Sequence, residues 1–413
     1  MRAPFRDPPR RIDPSPPLDV SVLFERLAPA RARLAQADER VVRTQIALSE
    51  IPAPTGGEHA RGASVAAHFR ALGLRDVETD NVGNVTGARR GMMNLAPVLV
   101  CAHLDTVFPE GTEVGVARDG RQLAGPGIVD NSRGLAAMLA LAEAVDGTVL
   151  RTRRPIIFAA TVGEEGSGDL RGAKHLFARL GTTPSACIAL DGAGDERIVH
   201  RALGARRFRV TFQGTGGHSW AAFGVPNPVH AAGAAVARLA ALALPRTPRT
   251  TLSVCRVGGG ICVNAIPDEA WIEIDLRSSA SEVLERCTAD VERAIWAAVR
   301  EENVRRAPGT PALTFQVATI GDRPCGELST EHPLVCAAAA ATLAIGRSPE
   351  FVAASTDANV PISLGVPAIA IGAGGRGGGV HTSGEWYDNT DGALGVARAL
   401  TVLVAAAELA GAD

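Results

Sequence analysis

Aromatic side chains are scarce in this sequence: Phe, Trp and Tyr make up 4% of it, with a single tyrosine. Proteins that hold single-stranded nucleic acid stack bases on aromatic platforms, and few are on offer here. An excess of one charge is also missing. Lys+Arg 42 against Asp+Glu 44 leaves a net charge of −2, which supplies neither a nucleic-acid footprint nor a patch for an anionic membrane. No stretch approaches the ~20 consecutive apolar residues of a membrane span. No CxxC pair occurs among Cys101, Cys187, Cys255, Cys262, Cys287, Cys325 and Cys336. That removes the common zinc-finger and redox spacings. Most of these cysteines stand in apolar runs such as "VLVCAH", "SACIAL" and "HPLVCAAA", where cysteine packs as a small hydrophobe. Buried thiols and a reducing compartment are the expectation. The opening "MRAPFRDPPRRIDPSPPLDV" has no apolar segment of signal length and reads as a flexible arm over residues 1–20. A cytoplasmic protein with no nucleic-acid or membrane partner is expected.

Ala, Gly and Val carry the core instead, in two textures. From about residue 95 to 200, and again after about 320, continuous apolar runs ("APVLVCA", "PIIFAAT", "ACIAL", "VPAIAIG") alternate with helical patterns such as "GLAAMLALAEAV" and "HPLVCAAAAATLAI". Continuous apolar strands between helices predict a mixed, largely parallel sheet sandwiched by helices: an α/β domain over residues 21–204 and 319–413. Its last stretch, Asp391 to Gly411, contains Arg398 and Glu408 and reads as an amphipathic surface helix. Between these halves the strands change character. "RRFRVTFQG", "TLSVCRV", "EAWIEIDL" and "ALTFQVA" alternate apolar with polar, as strands with one wet face do. Two helices interleave with them, from near Pro228 and from Ser281. The order strand, helix, strand, strand, helix, strand is a split βαβ unit, inserted over residues 205–318.

Chemistry-bearing residues gather at the predicted strand ends. "VCAHLDTVFPEG" places His103 and Asp105 just past a buried strand, and "GPGIVDNSRG" puts Asp130 in a glycine-bounded loop before a helix. "TVGEEGSGDLRGA" sets Glu164 and Glu165 side by side, "IALDGAGDE" ends a strand on Asp191, and "GVHTSGEWYDN" carries His381. Each alone has an ordinary structural explanation, such as a helix cap at Asp130. Together they fall where open α/β sheets bind ligands, outside the carboxyl ends of the strands. So many carboxylates in one crevice repel unless cations neutralise them. Imidazole and carboxylate without thiolate suit zinc, with manganese or cobalt as alternatives.

These segments in this order resemble the co-catalytic dizinc metallopeptidase family that includes aminoacylase, glutamate carboxypeptidase, succinyl-diaminopimelate desuccinylase and tripeptide aminopeptidase. "HLDTV", "VGEEGSGDLRGA", "GGHSW", "NAIPDEAWIEIDLRS" and "STDANVPISLGVPAIAIG" carry the resemblance, which covers about residues 40–410 and looks closest to the tripeptide aminopeptidase branch. The resemblance implies two divalent metal ions bridged by Asp130, one also bound by His103 and Asp191, the other by Glu165 and His381. It further implies that Asp105 orients His103 and that Glu164 is the general base. His218 would bond the oxyanion, and Asn264 would help hold substrate across a homodimer interface formed by the insert. Arg277 and Arg376 are candidate partners for a substrate carboxylate; the bland alternative for Arg277 is a structural ion pair. Thr356 and Asp357 are expected around His381 or the substrate. The implied substrate is a small peptide cut from its amino end, with deacylation or carboxypeptidase action on N-acyl amino acids as the alternative. Two rival readings compete: a non-catalytic scaffold of the same fold, and a nucleotide binder using "GAGGRGGG", which lacks the ending of a phosphate loop.

Overall fold

The computed structural model describes residues 19–146 and 150–410. Residues 1–18 of the expected arm lie outside this range. Its final residues do not belong to an arm: Val20–Arg26 is a helix, and Asp19 caps it by accepting from the Ser21 N–H at 2.9 Å. The chain divides into two compact units, one running to Ala202 and resuming at Glu327, the other spanning Leu203–Gly326.

The first unit is built on a mixed sheet. Its centre is parallel, in the order Ile156–Thr161, Val98–His103, Ala186–Leu190, Ala368–Ile371. Val85–Arg89 and then Arg75–Thr79 extend one edge antiparallel, while Arg197–Ala202 joins the other edge antiparallel and pairs with Glu350–Ala354. The continuous apolar runs exist because both faces are covered. Val98, Val100 and Ala102 pack into one cluster with the helices His59–Ala71, Ser132–Ala144, Pro333–Ala344 and Gly392–Ala407. Leu99 and Cys101, the alternate residues of the same strand, pack with Arg171–Leu180 and Asn359–Ser363 on the opposite face. At ~25 cal/mol per Å² of apolar surface removed from water, this double cover is what stabilises a sheet so poor in aromatics.

Two expectations need correction here. The C-terminal helix Gly392–Ala407 is not a surface helix. Val396, Ala399, Leu400, Val402, Leu403 and Val404 are all buried, and so is Arg398. Arg398 is tolerated because its guanidinium donates to Thr342 Oγ1 and the Arg197 carbonyl, at 2.8 and 2.9 Å. Nor are the cysteines mostly buried. Cys101, Cys187 and Cys287 are, but Cys255, Cys262 and Cys336 are exposed. Cys336 lies on a helix whose other face meets the core, so an apolar neighbourhood in sequence did not guarantee burial.

The second unit has a four-stranded antiparallel sheet, in the order Thr251–Gly259, Glu269–Ser278, Gly204–Gln213, Thr314–Arg323. The helices Pro228–Ala240 and Ser281–Val304 cover one face, burying Phe208, Val210, Phe212, Ile272 and Ile274 against Ala231, Ala235, Val291 and Ile295. The alternation of these strands follows from that one-sided cover. Among the described residues no helix is long and apolar enough to cross a membrane.

Candidate metal centre

His103 is the last residue of its strand, and Thr161 stands opposite it at the end of the neighbouring strand. Past this edge the chain turns twice around one carboxylate. Asp105 Oδ1 accepts from the Glu164 N–H and Oδ2 from the Glu165 N–H, both at 2.9 Å, while Thr55 Oγ1 donates to Oδ2 at 2.9 Å. The His103 ring is held by the backbone of the same residue, Nδ1 lying 3.0 Å from the Asp105 carbonyl, whereas the Asp105 carboxylate is 3.7 Å away. Asp105 thus fixes the ring mainly through its main chain and spends its side chain on the two glutamates. Glu58 braces the same turn, accepting from the Gly163 N–H at 3.1 Å and from Arg171 at 2.7 Å.

Asp130 is not the cap of the following helix. Asn131 takes that position, its Oδ1 accepting from the Gly134 N–H at 3.1 Å. The same oxygen accepts from the Gly192 N–H at 3.2 Å, and Asn131 Nδ2 donates to the Leu190 carbonyl at 2.8 Å. The Asp130 loop is therefore tied to the strand end that carries Asp191, and the Asp130 side chain is left for the site. Its Oδ1 is 2.9 Å from His103 Nε2 and its Oδ2 3.1 Å from His381 Nε2, which in turn lies 2.9 Å from Glu165 Oε1. His381 holds a φ of +66°, a left-handed conformation that costs a non-glycine residue about 1–3 kcal/mol.

Ligand atoms fall into three groups, each within 4.8 Å: His103, Asp130 and Asp191; Asp130, Glu165 and His381; and His103, Glu164 and Glu165. Asp130 belongs to two of them. The electrostatics show what the cluster lacks. Burial and then the neighbouring Asp130 charge push the Asp191 carboxyl up to about 7, and the same causes raise Glu165. The hydrogen bond to Asp130 lifts His381 to about 9, and His103 is raised against its burial by Asp105 and Asp130. Asp130 stays low despite burial because both imidazoles bond it. Protons stand where cations would, and a donor set of three carboxylates and two imidazoles fits divalent ions of the zinc type.

Other expected residues fall elsewhere. In the second unit His218 pairs across a short exposed ribbon with Ala265, beside Asn264, whose carbonyl accepts from the Ser219 N–H at 3.0 Å. Arg277 is held in an ion pair with Asp275 at 2.6 Å, the structural role that was its bland alternative. Arg376 is exposed, and stands opposite Asp388 in a small sheet formed with Trp386–Asp388, Gln122–Ala124 and Ala117–Asp119. The glycines around it are packing devices. A Cβ on Gly375 would lie 2.4 Å from the Tyr387 hydroxyl and one on Gly377 2.7 Å from Val129. Asp357 is bonded by Thr161 Oγ1 at 2.5 Å, under the strand end that leads to the glutamates, and Thr356 Oγ1 accepts from the Ala358 N–H. Glu385, which no motif in the sequence marks, accepts from the Gly127, Val129 and Asp130 N–H groups. Its one signal is its place four residues after His381.

Residues 99–406 match the profile of peptidase family M20/M25/M40. The chain belongs to that family. A putative succinyl-diaminopimelate desuccinylase, DapE, of Mycobacterium tuberculosis is 29% identical to this M20 chain over 238 residues, 56% of this chain and 66% of that protein. The match thus spans just under two thirds of that relative's length. A tripeptidase from Staphylococcus aureus shares the fold with a TM-score of 0.74 at 22% identity, over 89% of this chain and 98% of that one. A dinuclear metal-binding M20 peptidase from Bacillus subtilis does so with 0.65 at 17%, over 90% and 98%.

Proposed function

We propose that this M20 chain is a zinc-dependent hydrolase that cleaves the amide bond of small peptides, working from the amino end. The convergence of His103, Asp130, Glu165, Asp191 and His381 carries this reading, since Asp130 belongs both to the group with His103 and Asp191 and to the group with Glu165 and His381, and so can bridge two ions. In this reading His103 and Asp191 complete one ion site, Glu165 and His381 the other. Two divalent ions so placed lower the pKa of a water and polarise a carbonyl. Glu164 takes the proton from the attacking water as general base and passes it toward the leaving amine. Its backbone is pinned by Asp105, so its carboxylate can diverge from that of Glu165. His218 serves as an oxyanion donor. The Trp220 and Ala221 N–H groups point at its Nδ1, at 3.2 and 3.4 Å, which makes Nδ1 the acceptor and leaves the proton on Nε2.

We further propose a homodimer through the second unit, with His218 and Asn264 serving the neighbouring subunit. The exposure of Trp220, Phe223, Ile261 and Val263 around that ribbon, 87% or more each, supports it, because apolar side chains grouped in the open mark interaction surfaces. A second reading, deacylation of an N-acyl amino acid, is favoured by the desuccinylase relative. A panel of free di- and tripeptides against N-acetyl, N-succinyl and N-carbamoyl amino acids separates them. Faster turnover of free peptides with small apolar residues supports the first reading; faster turnover of acylated amino acids replaces it with the second, and no turnover of either class contradicts both.

A further inference from the structure

We propose that Glu385 is a positioning residue that couples the placement of Asp130 to that of His381, so that both side chains reach the second ion site together; this rests on the dimetal reading above. Glu385 is wholly buried. Its Oε1 accepts from the Val129 N–H at 2.7 Å and the Asp130 N–H at 3.0 Å, and its Oε2 from the Gly127 N–H at 3.1 Å. Its own carbonyl accepts from the Gly125 N–H at 3.0 Å. The loop from Gly125 to Asp130 therefore hangs on one residue of the turn that carries His381.

A buried carboxylate is tolerated only when donors replace its water. Three amides do so here, all from the segment that ends on the shared ligand. Only a carboxylate can present acceptors at both oxygens to such a set; an amide in its place would turn an NH₂ toward one of the N–H groups. The other side of the coupling is equally fixed. Thr382 donates to the Gly379 carbonyl through its N–H at 3.0 Å and through Oγ1 at 2.6 Å, and the Glu385 N–H donates to the Thr382 carbonyl at 3.2 Å. His381 is thus locked within a braced turn, in its left-handed conformation, four residues from the sling that positions Asp130. His103 ends one sheet strand and Asp191 directly follows another, so neither is carried by this turn. Loss of the sling should therefore fall hardest on the site that needs Asp130 and His381 aligned, and less on the one that shares Asp130 but keeps two ligands placed by the strands.

The test is titration of chelator-stripped full-length protein with Co²⁺, read by visible absorption and calorimetry, for wild type, Glu385→Gln and Glu385→Ala. Wild type should take up two equivalents. In Glu385→Gln the first equivalent should weaken less than the second, which should weaken by about 10–100-fold with a changed absorption band, the effect typical of removing an outer hydrogen-bond partner. Glu385→Ala should lose more of the second equivalent. Circular dichroism melting monitors the fold, and the isosteric Gln variant decides alone if the Ala variant does not fold. Wild-type affinity and spectrum for both equivalents in the Gln variant would overturn the proposal, as would equal weakening of the two. Failure of wild type to bind a second equivalent would instead sink the dimetal reading itself.

Discussion

At the residue scale the two adjacent glutamates pose the sharpest chemical question. Asp105 pins both of their amides with one carboxylate, and ligand atoms of both side chains lie within 4.8 Å of each other and of His103. Glu164→Gln should keep the metal content of wild type and lose most turnover, about 10²–10⁴-fold, as removal of a general base does. Glu165→Gln should lose metal as well. Elemental analysis beside kcat separates them, and equal metal loss in both variants would contradict the division of roles. Proton linkage gives a second expectation. Without a cation His381 is raised to about 9 and Asp191 to about 7, so both carry protons at or below neutral pH. A cation takes only the deprotonated forms. Zinc binding should therefore release protons, weaken as pH falls through about 7 and strengthen toward about 9. Calorimetry in buffers of different ionisation enthalpy counts the protons; an affinity indifferent to pH would contradict the account. His103 and Asp191 were legible because each closes an apolar run, and Asp130, Glu164, Glu165 and His381 because each stands in a glycine-bounded loop near one. Glu385 was not, because its partners are backbone amides some 255 to 258 positions away, and amides leave no mark in a sequence.

At the scale of elements, strands and helices followed from periodicity wherever cover was continuous or strictly one-sided. The C-terminal helix did not. Its arginine and its alanines are compatible with a solvated face, and burial was decided by the helices and loops that close over it. One of those contacts can be tested. Gly395 lies within this helix, where alanine ordinarily stabilises by about 1 kcal/mol. Here a Cβ would stand 2.1 Å from the Gly374 Cα and 2.4 Å from Asp195 Oδ1. The sign should therefore reverse: Gly395→Ala should destabilise by about 1–3 kcal/mol, the usual range for overpacking, measured by urea unfolding. A gain in stability would show that the helix is not pressed against the Gly374 loop. The glycine run from Gly372 to Gly379 is a similar case. Composition alone allowed a phosphate cradle, whereas close approach to Tyr387, Val129 and Trp386 accounts for Gly375, Gly377 and Gly378.

At the scale of the whole molecule the insert and the family follow from the order of segments, while substrate and assembly do not, since both depend on surfaces rather than on cores. The dimer proposal has a direct test. His218→Ala should lower kcat by about 10²–10³-fold with little change in KM, as loss of an oxyanion donor does. Mixing His218→Ala with Glu164→Gln subunits should then restore part of the activity, because one hybrid site regains both groups. A fully active monomer in sedimentation would remove the shared site. The central claim, that five side chains hold two ions and that those ions drive hydrolysis, is tested most directly by metal reconstitution. Protein stripped by chelator is titrated with zinc while bound metal and hydrolysis of a free dipeptide and an N-acyl amino acid are followed together. The account predicts no turnover in the stripped protein and activity that saturates at two equivalents. Full activity in protein shown to be metal-free, or saturation without any zinc bound, would contradict it.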